Sequence, residues 1–127
     1  MDTKLNDKVG SFDLPHPPLI FICSPFAGDT ERNINRARGY CRFAVSEGFM
    51  PLAPHLLLPQ FLDDDDPEQR ALGMRCGLEL LRICSEAWIF GDHISRGMEQ
   101  EIAEARRLGL PIRTFNHRCE EVESCGK

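Results

Sequence analysis

The feature that most constrains this chain is an alternation of short apolar runs with stretches of helical periodicity, each run closed by turn residues. Leu19-Ile20-Phe21-Ile22-Cys23 is apolar without interruption and stops at Ser24-Pro25. A run of this kind, bounded by turn signals, fits a strand buried on both faces, as in a parallel sheet. Asp29 or Thr30 is placed to cap the next helix, and Glu31 favours its positive end. Ile34, Ala37, Cys41, Ala44 and Val45 then recur at helical spacing, and Gly48 suits the cap that closes them. Residues 49–53 predict a second strand. Residues 56–62 are apolar but broken by Pro59 and read as a packed loop. Asp66 as cap, Pro67 at the first position and Gln69 three after the cap mark a second helix, with Leu72, Cys76, Leu80 and Ile83 on its stripe. Residues 87–90 predict a third strand and 97–108 a third helix, with Met98, Ile102 and Ala105 inward. Gly109 ends that helix, and residues 110–115 predict a fourth strand.

Strand and helix in strict alternation give right-handed crossovers and helices on both faces of a sheet. The expected fold is α/β: a three-layer Rossmann-like or flavodoxin-like domain with a mainly parallel sheet of about four to five strands. At 127 residues there is material for one core and not two. Residues 1–18, ending in Pro15-His16-Pro17-Pro18, read as a flexible N-terminal arm, and 116–127 as a polar, partly ordered C-terminal tail. The folded domain is expected over 19–115.

Charge narrows the partners. Fifteen basic against twenty acidic residues leave a net charge of -5, which argues against a domain that coats a nucleic-acid polymer or an anionic membrane. A small phosphorylated ligand needs only a few local donors and stays open. No apolar run approaches the ~20 residues of a membrane span, and the N-terminal stretch carries no secretory apolar region. Four of the six cysteines fall within apolar periodic segments, and no pair has CxxC spacing. Free thiols and a cytoplasmic location are therefore expected.

Ligands of open parallel sheets bind beyond the carboxyl ends of the strands, which singles out residues 24–30, 54–66 and 91–97. In the first loop Ser24 and Thr30 offer hydroxyls, Gly28 permits close backbone approach, and the following helix start favours an anion, although Asp29 opposes one there. Neither a Walker loop nor GxGxxG is present. In the third loop Asp92 and Ser95 sit at a strand end, and Ser95 suits a helix cap, with Glu99 or Gln100 near the capping-box position. Glu99 and Glu101 flank the inward stripe of the next helix on opposite edges, so helical geometry alone does not choose between them. His55 follows the second strand and His93 lies in the third loop. No Cys/His cluster has metal-ligand spacing, so no metal is expected, and the acidic run Asp63–Asp66 reads as a solvated loop and cap rather than a Mg²⁺ site. Gln60 and Phe61 are positioned for a lid. Trp88 reads as a core or interface residue.

Ser95-x-Gly97-Met98-x-x-Glu101, followed by Ala105 and Gly109-Leu-Pro111-Ile112, resembles the nucleoside 2-deoxyribosyltransferase superfamily, which includes deoxynucleoside monophosphate N-glycosidases. Phe21-Ile22-Cys23-Ser24-Pro25-Phe26 and Gly28-Asp29-Thr30-Glu31-Arg32-Asn33 look like one of its uncharacterised bacterial or phage branches. The resemblance spans about residues 19–115. It implies N-glycosidic bond cleavage on a nucleotide or nucleoside, by hydrolysis or by 2-deoxyribosyl transfer, with Glu101 as nucleophile and no cofactor. It places Ser95 where the monophosphate glycosidases have a Ser, and sets Ser24, Phe26 and Gly28 in the loop that holds sugar and phosphate. Thr30, His55, Gly97 and Met98 complete the expected substrate surroundings. The family's helper Asp, about two dozen residues before the glutamate, is replaced by Gly77, and Asp92 is the substitute carboxylate. Relatives are commonly homo-oligomers, for which Trp88, Phe61 or tail residues are candidate contacts. A catalytically silent nucleotide-binding or sensing module on the same fold is the alternative.

Overall fold

Strand β1 (Leu19–Cys23) lies inside the sheet of the computed structural model, which describes residues 16–123. Helix α1 (Thr30–Ser46) follows, its first turn capped by the Asp29 carboxylate, which accepts the Arg32 N–H at 3.2 Å. Then come β2 (Met50–Leu52), the short helix α2 (Pro54–Leu57) with a 3-10 turn (Leu58–Gln60), and α3 (Pro67–Arg82). The chain continues through β3 (Glu86–Phe90), α4 (Arg96–Leu108), β4 (Ile112–Phe115) and β5 (Glu121–Val122). The order across the sheet is β2-β1-β3-β4-β5, with β2, β1, β3 and β4 parallel and β5 antiparallel to β4. This is the flavodoxin-like arrangement, and the strand order reverses direction between β1 and β3, where such sheets open a crevice.

The unbroken apolar run of β1 serves two cores at once. Ile20 and Ile22 point to the α1 face, with Tyr40, Ala44, Trp88, Phe90 and Phe115. Phe21 and Cys23 point to the opposite face, with Leu81, Met98 and Ala105 from α3 and α4. Successive strand residues alternate faces, so a strand covered by helices on both sides must be apolar at every position. The α1 face is aromatic: Phe90 stacks on Phe115 and on Tyr40 with ring centroids 4.8 and 4.3 Å apart, and Trp88 meets Phe49 at 4.9 Å. Trp88 is 0% exposed, which corrects its candidacy as an interface residue. Phe61 is 64% exposed.

Helix ends follow the sequence signals. Asp66 caps α3 through the Glu68 N–H, and the Gln69 side chain ties the acidic run down, donating to Asp66 Oδ2 at 2.9 Å and accepting the Asp63 N–H at 2.8 Å. Gly48 and Gly109 follow α1 and α4 with φ of 90° and 75°, a region open to glycine and strained for other residues.

Three expectations are corrected. Residues 56–62, expected as a packed loop, are helical through 60: Pro54 and Pro59 stand within the first two positions of two short helical turns, where a missing N–H costs nothing. The inward face of α3 carries Gly77 and Leu81, with Gly73, Met74 and Leu78 half-buried, whereas Leu72 and Ile83 are 50% and 65% exposed. The polar stretch after Phe115 forms a turn and then β5, held by a two-pronged Arg113–Glu121 pair at 2.9 and 2.8 Å. Residues 1–15 of the expected arm and 124–127 of the expected tail lie outside the described residues, Cys125 among them. Cys23, Cys41, Cys76, Cys84 and Cys119 are free thiols. Among the described residues, no helix is long and apolar enough to cross a membrane.

Candidate functional site

The segments that follow β1, β2 and β3 converge with α3 around a cavity of about 260 Å³. Phe26 comes from the first, Pro54 and His55 from the second, Ser95 and Gly97 from the third, and Glu101 from one turn inside α4. Each is held by local structure. From α1, the Asn33 amide donates to the Phe26 and Ala27 carbonyls at 3.0 and 3.1 Å, pinning the first loop. The Phe26 and His55 rings stack with centroids 4.9 Å apart, forming one apolar wall. Pro25 lies against Gly91, whose φ of 110° is open to glycine and turns the third loop towards the first.

Ser95 is the N-cap of α4: its hydroxyl accepts the Met98 N–H at 3.2 Å. Its own N–H points at the Met98 sulfur, 3.5 Å away. Met98, not Glu99 or Gln100, therefore stands at the reciprocal position of the capping box.

Glu101 is the buried acid of the site, 5% exposed. Its Oε1 accepts a hydrogen bond from the Cys23 thiol at 3.2 Å. Its Oε2 faces Gly77, where an added Cβ would lie 3.9 Å from that oxygen. Burial pushes the Glu101 carboxyl up to about 7, opposed by the Cys23 hydrogen bond, which lowers it. The same burial, with the Glu101 charge beside it, raises the Cys23 thiol well above its ordinary range. His55 moves the other way: desolvation lowers it, against the Asp64 charge and its hydrogen bond to the Ser24 backbone. The cavity thus joins a carboxyl that is part ionised at neutral pH to a largely neutral imidazole.

The sequence candidates divide. Phe26, His55, Ser95, Gly97 and Glu101 line the cavity together. Met98 is buried behind Ser95, and Ser24 is buried at the end of β1. Gly28 and Thr30 are exposed and lie outside the cavity lining. Asp92 is not brought to Glu101: it is exposed and pairs with His117 at 2.9 Å. His93 stands with Asp92 in a separate hollow beside Tyr40. Glu99 is exposed, on the side of α4 towards β5. Gln60 and Phe61 are absent from the lining, to which their neighbours Leu58, Pro59 and Leu62 contribute. The reading of the sequence placed Asp64 and Arg96 only within the loops 54–66 and 91–97, and it missed Arg70 and Met74 as cavity residues. The one available signal was that the first turns of both helices must lie at the ligand-binding edge of a parallel sheet. Among the described residues, no three His, Cys, Asp or Glu side chains come together in a way that could hold a metal ion.

Fold and cavity define a doubly wound α/β domain with a buried carboxyl group beyond the strand ends. A family model described as a domain of unknown function, DUF7768, matches residues 18–115, and the chain belongs to that family. No curated protein matches it in sequence. Among solved structures it is similar to a 2-deoxyribosyltransferase from the psychrotolerant bacterium Bacillus psychrosaccharolyticus, with a TM-score of 0.60 and 19% identity, over 84% of this chain and 77% of that one. At that identity the likeness is one of fold.

Proposed function

We propose that the chain cleaves the N-glycosidic bond of a nucleoside or nucleotide, with Glu101 as nucleophile. The observation that carries this reading is a carboxylate buried at the ligand-binding edge of the sheet and in the cavity lining, with a thiol donor on Oε1 and Gly77 facing Oε2. The fold shared with a solved 2-deoxyribosyltransferase supports it. In the first step Glu101 Oε2 bonds to the anomeric carbon as the bond to the base breaks, its electron pair leaving with the base. The departing base takes up a proton from solvent, and the water that attacks in the second step gives one back to solvent. In the second step water, or a second base, attacks the same carbon and releases the Glu101 carboxylate. Cys23 keeps Oε1 engaged throughout, so the free oxygen is the one that faces the substrate. The Phe26–His55 stack provides a flat surface for base or sugar, and Ser95 and Gly97 border the opposite side. Asp92 is given no step, because it lies outside the cavity.

Only the ionised carboxylate attacks, so base release should rise with pH along a limb centred near 7. Chromatography of free base from a panel of ribo- and deoxyribo-substrates tests this, with wild type and Glu101→Ala side by side. Release by wild type and a loss of at least about a thousandfold in the variant are expected. Full activity in Glu101→Ala would overturn the assignment. Gly77, which puts no second carboxyl group beside Glu101, favours one rival: a binding module that holds the ligand intact. Thermal stabilisation by a nucleotide with no base release from any substrate would select it.

A further inference from the structure

We propose that Cys23 is a positioning residue that tunes the Glu101 carboxylate: its thiol fixes one oxygen while drawing little charge from the other. This deepens the glycosidic reading at the same site, and rests on that reading only for its kinetic consequences. Cys23 closes β1 and is 1% exposed. Its Cα is paired with Ile89 of β3, so the sulfur is carried by backbone inside the sheet. Glu101 is held from the other side. Met98 and Ala105, three residues before it and four after, are buried in the same cluster as Cys23, which sets this face of α4 on β1. The contact of 3.2 Å between Cys23 Sγ and Glu101 Oε1 is thus fixed by a strand and a helix rather than by a loop. Among the described residues it is the one hydrogen bond of the Glu101 side chain, and no cation pairs with that carboxylate.

The choice of sulfur has a chemical consequence. A thiol is a weak donor, whereas a hydroxyl bonded to a carboxylate closes to about 2.5–2.7 Å and takes up more of its charge. A donor to the anion lowers its affinity for a proton, and less charge on the attacking oxygen means slower attack. Cys23 itself stays a thiol around neutral pH, because burial and the Glu101 charge push it well above its ordinary value. Burial raises Glu101 to about 7, and the Cys23 bond is the one influence that opposes it. His55 from α2, Asp64 from the segment before α3, Arg70 from α3 and Arg96 from α4 line the same cavity, but none of them adds to that shift. Cys23 is therefore the position at which the proton affinity of Glu101 can be altered without adding a charge. Once Glu101 is bonded to the anomeric carbon, Oε1 is an ester carbonyl oxygen and accepts less strongly than an anion does. A strong donor there would hold the free carboxylate back from attack. No donor would leave the carboxylate free to turn. The thiol lies between these extremes.

The test uses the full chain, with the sulfur replaced by oxygen in Cys23→Ser and removed in Cys23→Ala. The Glu101 carboxyl carbon is titrated by NMR in protein carrying isotope-labelled glutamate, its signal assigned by its loss in Glu101→Gln. From a wild-type midpoint at about 7, the midpoint should fall by about one unit in Cys23→Ser and rise by up to about one unit in Cys23→Ala. The rising limb of base release should move with it in each variant. At a pH above all the midpoints, Cys23→Ser should release base about three- to tenfold more slowly, because its carboxylate is the less basic. Thermal melts establish that each variant is folded, and either one decides the question where the other is not. A midpoint that stays at the wild-type value, or that moves in the same direction in both variants, would overturn the proposal. A cysteine that only fills space would change stability and leave the midpoint in place. Opposite shifts in a chain that releases no base from any substrate retain the tuning pair and discard the glycosidic reading. Base release that depends on Glu101, with unmoved midpoints, does the reverse.

Discussion

At the scale of single residues, Glu101 shows what burying a carboxyl group costs. Its carboxyl group is raised from 4.5 to about 7, so the folded chain holds this proton more tightly than the unfolded chain does. Stability therefore falls as pH climbs through that window, and the loss is complete above it. The shift corresponds to a penalty on the order of 3 kcal/mol at pH 8. Glu101→Gln keeps an acceptor for the Cys23 thiol and removes the charge. It should raise stability at pH 8 by up to about that amount and leave it unchanged near pH 4, as urea unfolding at the two pH values would report. A variant equally stabilising at both would mean that ionisation is not the source. This residue was only half legible in the sequence. Helical spacing put Glu99 and Glu101 on opposite edges of one stripe. What separates them is tertiary: one edge meets Cys23 and α3, the other faces solvent near β5. Asp92 shows the converse failure, since a strand-end acid reads the same whether it turns into the cleft or, as here, out to His117.

At the scale of elements, α3 is the helix whose packed face departs from its apolar stripe. Apolar periodicity chose the stripe of Leu72, Cys76, Leu80 and Ile83, about one residue away from the face that packs. The packed face begins with Gly73 and Gly77, which carry no hydrophobic signal, so pattern reading turned the helix towards its leucines. Gly77 is costly as a helix residue, and the neighbours of an added methyl stand at ordinary contact distance. Gly77→Ala should thus stabilise the chain by up to about 1 kcal/mol. It should also lower base release or ligand affinity severalfold, because the methyl group occupies space beside the Glu101 oxygen. Thermal melts and activity on the same preparation would check the two effects together. Stabilisation with unchanged function would show that the space beneath Gly77 is not used. The helix starts, by contrast, were legible: Asp29, Asp66 and Ser95 each cap where a short polar side chain precedes a helical run.

At the scale of the molecule, alternation alone was enough to read the three-layer α/β class and the edge of the sheet at which the cavity lies. The position of the fifth strand escaped because Glu121-Val122 is too short to have a period, and its turn uses Cys119 at φ 64° rather than a glycine. That strand covers the open side of β4. Removing residues 116–127 should expose the unpaired backbone of β4 and delete the Arg113–Glu121 pair. Lower thermal stability and increased association by light scattering, both relative to the full chain, are expected. A truncated chain that matches the full chain in both would make the hairpin dispensable.

The two layers of the core also differ in kind. Against α1 the sheet is filled with interlocking rings, where a change in one forces changes in several others. Against α3 the filling near the cavity is small, and two glycines one turn apart on that helix, Gly73 and Gly77, are part of its lining. A lineage carrying this domain can therefore resize its pocket by one-letter changes on a single helix, while the ringed side preserves the scaffold. The cavity has a dial on one side of the sheet and an anvil on the other.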